Sequence, residues 1–253
     1  MNLQAVSIAE QIIGENPDTQ RPAMPTTIVS QADVVVGLLD HLDQVRSGES
    51  KAWIPTGIKA LDEKVNLISK GDMTVVGAQS GVGKTIFAHQ MAVSAESEGF
   101  SVLFFSLEMP PQALLKRTLA AESGVDFKRL TRAKEMTAVE FSKVADAAGG
   151  VINQKKNIFY DETRDIDQIV EKIKQTQDCL KETNKPLALV IVDYLQYCST
   201  VKFGNNRHEQ VSHISNRLKT AASEMNLAIL ALAQVNRGVT QRVNQRPINS
   251  DLK

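Results

Sequence analysis

Apolar residues fall along this chain in two rhythms. From Trp53 onward, short apolar runs alternate with longer stretches in which apolar positions recur every three or four residues. The runs 73–77, 101–106, 157–161, 187–193 and 227–233 predict buried strands. The stretches 84–98, 110–122, 137–148, 166–183 and 209–225 predict helices. In the last of these, Val211, Ile214, Leu218, Ala222 and Met225 mark one face. Such alternation predicts an α/β domain with a mostly parallel sheet covered on both faces.

Ahead of residue 53 the rhythm differs. Val6, Ile8, Ile12 and Ile13 give residues 1–13 the apolar positions of a short helix. Residues 14–27 contain Pro17, Pro22 and Pro25 and read as a linker. Ser30, with Asp33 three residues on, has the pattern of a capping box. Val35, Leu38, Leu39, Leu42 and Val45 follow at helical spacing and predict a helix over 31–46. Its apolar stripe packs either on its own domain or on a neighbouring subunit.

Composition narrows the class. Hydrophobic residues are 42% and charged residues 23%, which excludes a wholly disordered chain. No apolar run approaches the ~18 residues of a membrane span. Glu10 and Glu15 stand where a secretion signal would be basic and then apolar. Cys179 and Cys198 have no metal-ligand spacing and form no disulfide framework. The expectation is a cytoplasmic protein without a membrane partner. Charge is uneven, although Lys plus Arg and Asp plus Glu are 29 each. Residues 1–50 hold seven acids and two bases, whereas residues 201–253 hold eight bases and three acids. The basic C-terminal segment is therefore the place to look for a polyanion.

The chemistry begins with Ala78-Gln79-Ser80-Gly81-Val82-Gly83-Lys84-Thr85, which follows an apolar strand and opens a helix. This is the context of a phosphate-binding loop. Loop amides and the helix N-terminus present donors to phosphate, Lys84 can reach the β- and γ-phosphates, and the Thr85 hydroxyl can ligate Mg²⁺. The first position of the pattern is Ala78 where glycine is usual. ATP is the expected substrate. Leu189-Val190-Ile191-Val192-Asp193 has the form of the acid-ended strand that accompanies such a loop. Asp193 would hold the Mg²⁺ shell at the carboxyl end of a strand beside that of the phosphate loop. Because Tyr194 follows, the acid that activates water lies elsewhere. Glu108, just past the second strand, is either that acid or a helix cap.

Further strings are more specific. Ser106-Leu107-Glu108-Met109-Pro110, Asp193-Tyr194-Leu195-Gln196, Leu232-Ala233-Gln234-Val235-Asn236-Arg237 and Arg246-Pro247-Ile248-Asn249-Ser250-Asp251-Leu252 occur in the order and spacing of the DnaB family of hexameric replicative helicases. Pro55-Thr56-Gly57 with Leu61-Asp62, and Asn206-Arg207 with Glu209, add to the resemblance, which runs from about Ile54 to Lys253. It implies a RecA-like P-loop NTPase fold and ATP-driven movement 5'-3' on single-stranded DNA within a hexameric ring. A primase or a helicase loader is the implied further partner. It implies catalytic roles for Lys84, Asp193 and Glu108, the last as base. It also implies that Gln234 senses the γ-phosphate, where a bland reading is loop capping. Two loops would line the DNA path. One carries Lys202, Asn206 and Arg207, and the other Arg237, Arg242, Arg246 and Lys253.

The implied organisation is an N-terminal segment and linker over 1–27, a linker helix within 28–50 and the ATPase domain over 51–253. Family members carry a helical N-terminal domain and continue past the Ser-Asp-Leu string to an arginine finger, so the chain reads as truncated at both ends. The competing expectation is a nucleotide-binding interaction module that does not unwind DNA by itself. A recombinase-like filament ATPase would share the phosphate loop but not the Asp-Tyr-Leu-Gln and Arg-Pro-Ile-Asn-Ser-Asp-Leu strings.

Overall fold

A computed structural model describes residues 30–48, 53–64, 68–153 and 157–235. The chain divides into two units, one up to Ala52 and one from Trp53. In the first, helix α1 spans Gln31–Ser47. Its start is the capping box read from the sequence. The Asp33 amide donates to Ser30 Oγ at 3.2 Å, and the Ser30 amide donates back to Asp33 Oδ2 at 3.3 Å. Gly48, at φ 80°, ends the helix in the left-handed conformation. Taken by itself, the helix leaves Val34, Val35, Leu38 and Leu42 uncovered. The helix expected within 1–13 and the linker lie outside the described residues.

The second unit is the α/β domain that the alternation predicts. A single turn, α2 (Lys59–Asp62), precedes β1 (Met73–Ala78) and α3 (Lys84–Ser97). Next come β2 (Ser101–Ser106), α4 (Pro111–Ser123), α5 (Phe127–Thr131), α6 (Ala138–Asn153) and β3 (Ile158–Asp161). The chain continues through α7 (Ile166–Leu180), β4 (Leu187–Asp193), α8 (Arg207–Glu224) and β5 (Ala228–Gln234). Helix starts follow local chemistry. Asp165 accepts from the Asp167 and Gln168 amides at 3.1 Å, and Thr137 and Glu140 bond each other's amides ahead of α6. The expected end of α6 near residue 148 is passed, because the helix continues through Gly149 and Gly150. The turns α2 and α5 escaped the sequence pattern because each is shorter than the window over which periodicity is legible.

The five strands form one sheet in the order β1-β5-β4-β2-β3, and every pairing is parallel. One expectation is corrected here. The acid-ended strand β4 is not beside β1, because β5, last in the chain, is inserted between them. All residues of β2 and β4 are buried, as a two-faced sheet requires. Alternate residues feed two cores. Leu103, Phe105, Val190, Val192 and Ile229 pack with Ile169 and Ile173 of α7 and Ile214 and Leu218 of α8. Val102, Phe104, Leu189, Ile191 and Leu230 pack with Ala88, Met91, Ala92 and Ala95 of α3. Small residues on α3 let that helix lie close to the sheet.

One polar cluster interrupts the second core. His89 of α3 is buried, with its Nε2 3.3 Å from Thr118 Oγ1 and 3.4 Å from the Tyr160 hydroxyl. Burial, and secondarily the Arg117 guanidinium, hold the His89 ring below its ordinary pKa of 6.5. The folded state therefore binds this proton less readily than the unfolded chain, and stability falls as pH drops below about 6.5. His89→Gln keeps a polar partner and cannot be charged. The melting-temperature difference, wild type minus variant, is expected to decrease from pH 8 to pH 5. Equal pH profiles in thermal melts would contradict this.

Candidate functional site

Parallel strands bring their carboxyl ends to one rim, and the register brings specific residues together there. Ala78 at the end of β1 lies opposite Gln234 at the end of β5, and Ser106 of β2 lies opposite Asp193 of β4. The Val235 amide donates to the Ala78 carbonyl at 3.1 Å, and the Leu107 amide donates to the Asp193 carbonyl at 2.9 Å. The phosphate loop, the segment carrying Glu108 and the strand ends carrying Asp193 and Gln234 are thus tied by backbone bonds.

The loop between β1 and α3 turns through Gly81 at φ 82° and Gly83 at φ 99°. A side chain at either position would be strained, so glycine is required there whatever the space around it. Gly83 is also the N-cap of α3, which leaves the first amides of that helix to face the loop. Lys84 is buried. Its ammonium reaches back over the loop, donating to the carbonyls of Ala78 at 3.1 Å and Gln79 at 3.0 Å. It also stands 6.0 Å from the centre of the Tyr194 ring.

Asp193 is fully buried, and neither carboxylate oxygen has a partner at hydrogen-bond geometry. Burial pushes this carboxyl up to about 6. The Thr85 hydroxyl opposes that shift, the Glu108 carboxylate adds to it, and the Lys84 ammonium opposes it. A buried, unpartnered carboxylate facing a threonine hydroxyl is an oxygen-only donor set. It suits Mg²⁺, which is held through one or two protein oxygens and otherwise by water and phosphate. Among the described residues no cluster of three His, Cys, Asp or Glu residues forms a denser metal site. Glu108 is exposed on the same rim, where solvent water can reach it. The peptide bond between Asp193 and Tyr194 is cis.

The expected DNA loops fare differently. Lys202 is exposed in the loop before α8. The Asn206 side chain caps that helix, accepting from the Glu209 amide at 3.3 Å. Arg207 uses both terminal nitrogens internally, on the carbonyls of Gln196 at 2.5 Å and Cys198 at 3.3 Å and on Gln210 Oε1 at 2.9 Å. Its guanidinium thus holds the loop, a role that sequence reasoning missed. Arg237, Arg242, Arg246 and Lys253 lie outside the described residues. Sequence reasoning also missed Arg164, which donates to the Leu107 carbonyl at 3.2 Å and lies 5.2 Å over the Tyr197 ring.

A family model described as the DnaB-like helicase C terminal domain matches residues 53–253. The chain belongs to this family. Within the DnaB-like helicases it is 29% identical over 230 residues to the replicative DNA helicase DnaB of Haemophilus influenzae, covering 90% of this chain and 48% of that protein. It is 35% identical over 224 residues to the replicative DNA helicase DnaC of Bacillus subtilis, covering 87% and 48%. The chain spans about half the length of these curated relatives. A solved ATPase domain matches with a TM-score of 0.75 and 26% identity, over 88% of this chain and 78% of that one. A DnaB-like replicative helicase, solved in a study of its interactions with primase, matches with a TM-score of 0.72 and 26% identity, over 89% and 53%. The fold is therefore the RecA-like ATPase fold of DnaB-like helicases.

The Asp193 carboxyl generates a stability prediction. Its folded pKa lies above the unfolded value of 3.8, so the folded state holds the extra proton between about pH 4 and 6. Stability falls as pH rises through that window and stays lower above it. In metal-free buffer, Asp193→Asn is expected to stabilise the protein at pH 8 by up to about 3 kcal/mol and to change little near pH 4. Urea denaturation at the two pH values measures this, and an equal effect at both would refute it.

Proposed function

We propose that this chain is the motor core of an ATP-driven replicative DNA helicase working in a hexameric ring. The observation that carries the reading is the buried Asp193 carboxylate, unpartnered and facing Thr85, beside the Lys84 ammonium on the rim of a RecA-like sheet. A buried carboxylate whose oxygens lack hydrogen-bond partners is costly, and it persists where a ligand offsets the cost. Loop amides and the α3 N-terminus bind the phosphates. Lys84 exchanges its two carbonyl contacts for β- and γ-phosphate oxygens. Thr85 and Asp193 hold Mg²⁺, which when bound neutralises phosphate charge. Glu108 orients a water and accepts its proton. Gln234 senses the γ-phosphate.

The remaining expectations join this proposal. Single-stranded DNA runs past the loop carrying Lys202, with translocation 5'-3'. Helix α1 docks on a neighbouring copy through its uncovered apolar side chains, and the domain division is a linker helix within 28–50 and an ATPase domain over 51–253. A primase or loader docks on the assembled ring in the cytoplasm. Among the described residues no helix is long and apolar enough to cross a membrane.

ATP turnover with and without single-stranded DNA, alongside oligomer mass, tests the reading. DNA-stimulated turnover in a hexamer supports it. Nucleotide binding by a monomer without turnover supports an interaction module instead. Lys84→Ala is expected to weaken ATP binding roughly tenfold to hundredfold in a titration, because charge-assisted bonds are lost. Glu108→Gln is expected to keep ATP binding and lower kcat roughly 10²–10⁴-fold. Double replacement of Leu38 and Leu42 by Asp is expected to shift sedimentation toward smaller species at an unchanged melting temperature. A large drop in melting temperature would show instead that α1 packs within its own chain.

A further inference from the structure

Strand β5 runs further along the sheet than its neighbour β4. The β4–β5 register ends with Val192 opposite Ala231, whereas β5 stays paired with β1 as far as Ala78 opposite Gln234. The last residues of β5 therefore have a strand on one side only. On the other side, at Gln234, a side chain takes the strand's place. The Gln234 amide donates to Gln196 Oε1 at 3.1 Å, and Gln196 Nε2 donates to the Gln234 carbonyl at 3.2 Å. A carboxamide carries the same donor and acceptor as a peptide group, so it satisfies both backbone groups of Gln234 as a neighbouring strand would.

Both ends of this contact are anchored. On the β1 side, the Ala78 carbonyl accepts from the Val235 amide and from the Lys84 ammonium. On the Gln196 side, the backbone sits in the tight turn Leu195–Tyr197, and its carbonyl accepts from Arg207. Arg207 opens α8, directly after the exposed loop that carries Lys202. Polar contacts therefore run without a break from the phosphate loop, across the end of β5, to the start of α8.

We propose that Gln196 is a positioning residue for Gln234. Its carboxamide fixes the end of β5 that presents Gln234 to nucleotide, and Arg207 couples that position to the loop before α8. The role at the nucleotide rests on the reading of Gln234 as the γ-phosphate sensor. The clamp itself rests only on geometry. An ordinary loop cap would satisfy one backbone group, whereas here both are met by one side chain.

The test is Gln196→Met in the full chain, which keeps the side chain's length and removes both bonds. By NMR, amide exchange at Gln234 is expected to rise roughly tenfold while that at Leu230, in mid-strand, stays unchanged. Arg207→Met, which does not touch Gln234, is expected to give a smaller rise at the same amide. With fluorescent ATP and ADP in Mg²⁺ as probes, Gln196→Met is expected to hold ADP affinity within about twofold. It is expected to lower the preference for ATP over ADP roughly tenfold, toward that of Gln234→Ala. If the Met variant does not fold, Gln196→Leu serves. It also removes both bonds, so the same changes are expected. Unchanged exchange at Gln234 overturns the clamp. Faster exchange with an intact ATP preference overturns the positioning role. A wild type that binds both nucleotides without preferring ATP overturns the sensor reading, and with it the positioning role at the nucleotide, while exchange still decides the clamp.

Discussion

The insertion of β5 between β1 and β4 is the constraint on which the site depends. A parallel sheet sends every carboxyl end to one rim, but strand order decides which ends are neighbours. With β5 in the middle, the Gln234 end is bonded to the phosphate loop on one side and clamped from the β4 side by Gln196. The loop therefore meets β5 through backbone bonds at Ala78, and meets Asp193 through the side chains of Thr85 and Lys84. Were β4 beside β1, Asp193 would adjoin Ala78 directly and Gln234 would lie outside the pair.

The same rim concentrates electrostatic tension. Asp193 is buried without a hydrogen-bond partner, and Lys84 is buried with only carbonyls to receive its protons. Burial raises the free energy of the Asp193 carboxylate, and the nearby Lys84 ammonium offsets part of that cost. The Asp193 charge therefore works against the stability of the fold. The two apolar cores beneath the rim, built on β2 and β4, supply the reserve that tolerates this cost.

Polar side chains do the linking that hydrophobic packing cannot. Gln196, Arg207 and Arg164 each bond backbone carbonyls on a different segment from their own, and so hold loops at set heights above the sheet. The engagement of Arg207 also divides its loop by role. The cation that closes the loop is used within the fold, and Lys202 remains exposed on its outer side.

The amino-acid order by itself determined the element types, the parallel sheet, the glycine turn between β1 and α3 and the α1 capping box. Each rests on spacing within a few residues: a period of two or three to four, glycines at 81 and 83, or Ser30 with Asp33. It also brought forward Glu108, Asp193 and Gln234 through short strings. The family model then placed residues 53–253 among DnaB-like helicases. Only the tertiary structure decided strand order, and with it the separation of β4 from β1, because hydrophobic runs carry no information about which neighbour they pair with. It alone placed the Gln196 carboxamide on Gln234 and the Arg207 guanidinium on Gln196 and Cys198. Gln196 and Gln234 are 38 residues apart, and a hydrogen bond over that distance leaves no periodic trace in the chain. The orphaned state of Asp193 was equally illegible, since burial and the lack of a partner are properties of packed neighbours rather than of the residue.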